Sequence, residues 1–479
     1  MRMGVNRKSL CGCWLVSLFT LLSVLSVASL AAADLRLADA VEKGDNEAVR
    51  SLLAEHVDVN TPQADGATPL AWAAHRDDLE TAGLLIRAGA DANTANNYGV
   101  TPLSLACTNR SAAMVKKLLE AGADPNAAQP TGETALMRCA HTGSLEAMKL
   151  LIEHGADVNA AETWQGQTAL MWAAAEKHAE AVQALIELGA DVHARTKGAS
   201  TPLLFAAQQG DMDSARLLLA AGASVNDAPP DGMNPLLVAS TSGHGALAAF
   251  LLDQDADPNA VNDSGYTALH YAAPRRNMLD LVKALLAHGA DPNARLAGYR
   301  TRAGGITMMG ATPILLAAEA GNMAAMRALA DAGADPLLTT TENTTLLLVA
   351  LGAGRFGERS ESQLQRHHET ARLAVEMGSD VHAVGEHGWT AIHAAAYAGA
   401  DETIQFLADL GVKLDVMDRF GQTPLSIASA IITAGMADYA DPRPRRYRKS
   451  TVELLLQLGA ASLEESAVEI LGAMAVSKE

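Results

Sequence analysis

The residues best able to do chemistry in this 479-residue chain are its 14 histidines, two downstream cysteines and one glycine cluster. A structural metal needs about four His, Cys, Asp or Glu side chains converging on one point. His367, His368 and Glu369 are the one dense group. Neighbouring residues on a helix point to different faces, so no metal site is expected there. Gly352, Gly354 and Gly357 repeat the glycine spacing of a dinucleotide loop. Such a loop holds pyrophosphate only between a strand and a helix N-terminus, whereas an apolar helical stretch precedes this one. No G-x-S-x-G, H-E-x-x-H or C-x-x-C-H occurs. No catalytic residue, cofactor or metal is therefore expected.

What could position such groups is a unit of about 33 residues, clearest from Thr101 to Glu133. Thr101 suits a helix N-cap and Pro102 the first helical position. Leu103, Leu105 and Ala106 make a short apolar face, and Met114, Val115, Leu118 and Leu119 make a second at helical spacing. Gly122 stands where a left-handed C-cap is wanted, and Asp124-Pro125-Asn126 leads into turns. The spacing predicts helix, tight turn, helix and an extended finger, neither apolar face being buried by the unit alone.

The Thr/Asn-Pro/Ala-Leu/Ile opening returns at Thr68, Thr134, Thr168, Thr201, Asn234, Thr267, Thr312, Thr345, Thr390 and Thr423. With L-L-x-x-G-A-D-x-N closing the second helix, this pattern resembles the ankyrin repeat. The resemblance implies an all-α fold, an α-solenoid of about twelve repeats, each a helix-turn-helix with a β-hairpin finger. It covers residues 34–461, beginning with an atypical, charge-rich repeat suited to a solvent-facing cap. Residues 462–479 read as a closing helix or tail. Insertions near 295–310, 352–369 and 437–450 set the C-terminal half apart, since repeat insertions fall in loops and often carry binding.

Nine histidines fall at recurring positions. His270 and His393 follow the T-x-L opening, where the imidazole ties one repeat's turn to the next. His178 and His244 open second helices, His56, His154 and His288 lie near the G-A-D turn, and His193 and His382 replace its asparagine. Cys107 and Cys139 stand where other repeats have alanine. They are expected to be buried small hydrophobes. Stacked helices about 8–10 Å apart argue against a disulfide.

The net charge is −19. That disfavours nucleic acid as a partner, because phosphate affinity rests on clustered Lys and Arg. Residues 1–33 read as a signal peptide: Arg2, Arg7 and Lys8, an uncharged run to Leu30, then Ala31-Ala32-Ala33. The expected location is a bacterial periplasm, with an uncleaved inner-membrane anchor as the alternative, since the run is long enough to span a bilayer. No membrane insertion is expected after cleavage.

The resemblance implies binding of a protein partner without catalysis, and the chain is expected to be a monomer. Candidate contacts on the concave face are the residues after the Ala-Ala pair: His75, Arg76, Asn109, His141, Glu176, Gln208 and Gln209. Tyr98, Trp164, Tyr266 and Trp389 lie in fingers, either as interface anchors or packed on the adjacent finger. Arg443, Arg445, Arg446, Arg448 and Lys449 form either an anion-docking loop or a solvated one. Rival readings are an accessory subunit that stabilises or assembles a periplasmic enzyme, and an enzyme using the C-terminal insertions.

Overall fold

A computed structural model of the chain describes residues 35–298, 308–352, 359–385, 388–431 and 446–462. Residues 1–34, the tail beyond 462 and the segment 353–358, which carries Gly354 and Gly357, lie outside these. Among the described residues are 24 α-helices taken in consecutive pairs, and no strand. The chain divides into two compact units, one built on residues up to Ala206 with Asp211–Ala223, the other on Ala207–Gly210 with Ser224 onward.

Within the first unit the helix Pro102–Thr108 is started by Thr101, whose hydroxyl accepts from the Ser104 amide while Ser104 bonds back to the Thr101 amide. Thr68 and Thr134 start Pro69–His75 and Ala135–Thr142 in the same way, each through its own hydroxyl. Leu70, Leu103, Leu136, Leu170 and Leu203, one per repeat, are all buried. Each contributes about 1.5–3 kcal/mol by leaving water. The second helices, such as Ala112–Glu120 and Leu145–Glu153, have nine residues each. Helices so short are unstable alone, so each pair depends on its neighbours. In the second unit Leu236, Leu269, Ile314, Leu347, Ile392 and Leu425 hold the equivalent buried position.

A ladder of asparagine amides runs along the turns after the second helices. Asn60 donates to the Gly89 carbonyl and accepts from the Asp91 amide. Asn93, Asn126 and Asn159 do the same one repeat further on. Asn226, Asn259 and Asn293 form the second unit's rungs. Leu337 stands at the next such position and has no amide to offer.

Three sequence expectations need correction. Among the described residues the fingers are tight turns without strands, and isolated bridges alone pair Ala128 with Thr134 and Ala161 with Thr168. Neighbouring fingers are joined instead by single backbone bonds, Asn97 to Asp65, Thr163 to Thr131 and Lys197 to Gln165. Second, much of the 352–369 insertion is helical. Ser360 and Gln363 form a reciprocal cap, and the helix runs Glu361–Glu376, 16 residues. The S-x-x-Q spacing was visible in the sequence and signals this start.

Third, Cys107 and Cys139 are joined as a disulfide, with Cα atoms 4.7 Å apart. The expectation compared helix axes with Cα positions. Two axes about 9 Å apart, each with a Cα radius of about 2.3 Å, leave facing Cα atoms only about 4–5 Å apart.

Candidate protein-binding surface

Every helix leaves its last four carbonyls without intrahelical partners. Several first helices end on the face where binding was expected and are capped there from the following repeat. Asn109 Nδ2 donates to the carbonyls of Ala74 (3.0 Å) and His75 (2.7 Å). Arg76 donates to the Glu42 carbonyl at 3.1 Å and lies over Gly44. Thr142 donates to Cys107, and the Nε2 of His178 meets the His141 carbonyl at 3.1 Å. In the second unit His244 reaches Gln208, Arg275 reaches Ser240 and Thr241, and Arg448 reaches Tyr397. Arg76 and Asn109, named above as candidate contacts, therefore carry packing duty as well.

His75 is exposed and meets Trp72 edge-on. His141 is half-buried, edge-on to Trp172, with Nδ1 3.4 Å from the exposed Glu176 carboxylate. Gln208 is exposed and Gln209 half-buried. The structure thus brings His141 and Glu176 together, while the other candidates sit one or two per repeat along the helix ends.

The finger aromatics divide sharply. Tyr98 and Trp164 are 72% and 76% exposed. Trp164 sits on a turn clasped by Glu162, whose carboxylate accepts from the amides of Trp164, Gln165 and Gln167. Burial pulls the Glu162 carboxyl pKa upward, but the backbone N–H donors outweigh it and hold it below the usual carboxylate value. Asn96 clasps the Tyr98 turn in the same manner, accepting from Tyr98 and Val100. Tyr266 is half-buried and stacks on Tyr271. Trp389 is buried, stacked near His393, and donates to Asp418 at 3.2 Å. It is a core residue, which corrects its reading as a contact anchor.

His367 and His368 do face apart, as the helical geometry requires. His367 Nδ1 meets the Ala350 carbonyl at 2.7 Å, and His368 Nδ1 meets the Thr403 hydroxyl and packs edge-on to Phe406. Burial lowers the His368 pKa, with Glu402 opposing. Among the described residues no group of three or more His, Cys, Asp or Glu is placed to hold a metal. His270 and His393 accept from the amides of Thr267 and Thr390 and, through Nε2, meet the carbonyls of Ala311 and Gln422. Of the basic group, Arg446 is exposed, Arg448 is a cap, and Lys449 opens the helix Lys449–Gln457, 3.8 Å from Glu453. Arg443 and Arg445 lie outside the described residues.

A family model for ankyrin repeats in three copies matches residues 37–129, 126–196, 203–295 and 362–435. The chain belongs to the ankyrin-repeat family. Ankyrin repeats are in general binding scaffolds for other proteins, not catalysts. One relative is the human ankyrin repeat and SOCS box protein 16, 35% identical over 170 residues, covering 36% of this chain and 34% of that protein. Another is the E3 ubiquitin-protein ligase KEG of Arabidopsis thaliana, 26% identical over 210 residues, 43% of this chain and 11% of that protein. The chain thus spans about a third or less of the curated relatives it matches.

The caps on helix ends were the feature sequence reasoning missed. Their donors are chemically unlike one another (Asn, Arg, Thr, His), so they leave no repeating letter. The only sequence trace is the polar residue opening or closing each interhelical turn.

Proposed function

We propose that this chain is an exported ankyrin-repeat scaffold of a bacterial periplasm that binds a protein partner and performs no chemistry itself. One observation carries the reading: Tyr98 and Trp164 stand out in water on turns whose backbones are fixed by Asn96 and Glu162. An aromatic anchor already held in place loses little freedom on docking, and such residues dominate interface energetics. His75, His141, Glu176 and Gln208 supply mixed polar contacts beside them. The Cys107–Cys139 disulfide supports an oxidising compartment, as does the basic, apolar, Ala-x-Ala order of residues 1–33.

The test is affinity capture from a periplasmic extract with the tagged mature chain and with Tyr98→Ala/Trp164→Ala. The wild type should retain a defined partner that the folded double variant loses by at least about tenfold, or 1.4 kcal/mol. Equal retention would remove the fingertips from the interface. Loss of a captured enzyme's activity on deleting this chain would make it an accessory subunit. Intact mass of the exported protein should begin near Asp34, and retention of Met1 to Leu30 would mean an anchor.

A further inference from the structure

Cys107 and Cys139 occupy staggered places in successive first helices: Cys107 is the second residue of the pair Ala106-Cys107 and Cys139 the first of the pair Cys139-Ala140. Both are fully buried, as are Ala106 and Ala140 beside them. The Thr142 hydroxyl bridges the same junction, meeting the carbonyls of Cys107 at 3.1 Å and Cys139 at 3.2 Å. A thiolate cleaves a disulfide by attacking one sulfur through a mixed disulfide, so the reaction depends on access to a sulfur. Here first-helix side chains of both repeats fill the surroundings, and access requires the two helix pairs to part.

We propose that the Cys107–Cys139 pair is a latch between two successive repeats, closed by a disulfide oxidant while the chain is open and sheltered from dithiols once folded. On closing, the two thiols lose two protons and two electrons. The oxidant's disulfide takes both and leaves as a dithiol. On opening, a dithiol thiolate forms a mixed disulfide with one cysteine and expels the other as thiolate. The reductant's second thiol then closes on the first and releases the remaining cysteine. The latch also fixes the spacing of two neighbouring helix ends, those bearing Asn109 and His141. It rests on the packing of this junction and is independent of the partner reading.

The experiment follows dithiothreitol reduction of the oxidised mature protein by quenched alkylation and mass spectrometry. In native buffer, reduction should be at least about 100-fold slower than in concentrated guanidinium, because only the locally opened state reacts. Urea below the unfolding transition should speed it. Native and unfolded rates within about threefold, or two free thiols in the oxidised preparation, would overturn the proposal. A second arm uses Cys107→Ala/Cys139→Ala, which places the alanines that Ala74 and Ala106 already provide in other repeats. Its Tm should lie at least about 4 °C below that of the oxidised wild type and ignore dithiothreitol. An unchanged Tm would show that the bond latches nothing.

Discussion

The turn carrying Trp164 and the turn carrying Trp389 follow one backbone plan, each closed by a bond across the finger, from the Glu162 amide to the Gln167 carbonyl and from the Gly385 amide to the Trp389 carbonyl. Yet one indole is 76% exposed and the other 8%. Register explains the difference. Trp389 immediately precedes the N-cap Thr390 and is drawn into the core with the helix, and Tyr266, just before Thr267, is half-buried. Trp164 and Tyr98 lie just ahead of the glycines at the turn tips, Gly166 and Gly99, and point away. Two aromatics in fingers of the same type therefore serve opposite ends, one stability and the other contact.

The largest test of that contrast is Trp389→Ala. Loss of a buried indole, its bond to Asp418 and its stack on His393 should cost about 3–5 kcal/mol. It is measured as an earlier urea transition by circular dichroism, and a shift below about 1 kcal/mol would place Trp389 on the surface.

The inward class has a pH signature. Burial drives the His270 pKa down to about 4, with the carbonyls of Ala311 and Ala294 and the charge of Asp291 opposing. In the unfolded chain it returns to about 6.5, so the unfolded state takes the proton first. Stability from His270 is thus fully present above pH ~6.5 and is lost as pH falls toward 4, by about 3 kcal/mol in all. His270→Ser, which copies the reciprocal cap of Thr101 and Ser104, should flatten the urea midpoint over that range. An unchanged slope would assign the acid sensitivity elsewhere.

Smaller effects distinguish filled from open left-handed glycines. A Cβ on Gly143 would meet the His178 ring at 2.8 Å, whereas one on Gly155 meets nothing within 4 Å. Gly143→Ala should cost about 2 kcal/mol, adding displacement of the His178 cap to backbone strain. Gly155→Val should cost about 1 kcal/mol from strain alone. Denaturant titration giving the reverse order would mean that His178 does not cap this helix. The smallest effect is Trp164→Ala, under about 0.5 kcal/mol in stability. A large loss there would show an indole that packs on its neighbour.

Much of this was legible. Thr101 and Pro102, the leucine after them and the glycine at Gly122 each specify a local conformation by their own chemistry, so repeats could be located residue by residue. The extended helix at Glu361–Glu376 was also written in Ser360 and Gln363, though a glycine-rich, charged stretch obscured it. What could not be read were relations between repeats: that Asn109 is spent on Ala74 and His75, that Cys107 meets Cys139, that Trp389 turns inward. These depend on Ångström-scale distances across a junction, which a periodic pattern leaves unspecified.

The disulfide also changes what the chain does under load. A stretched repeat array releases its modules in turn, and a 33-residue module frees on the order of 110 Å of contour when pulled straight. The bond between Cys107 and Cys139, 32 positions apart, short-circuits about one such module. Oxidised protein held in an optical trap should therefore yield about one extension step fewer than reduced protein, making the number of steps a direct reading of the redox state in which the chain folded.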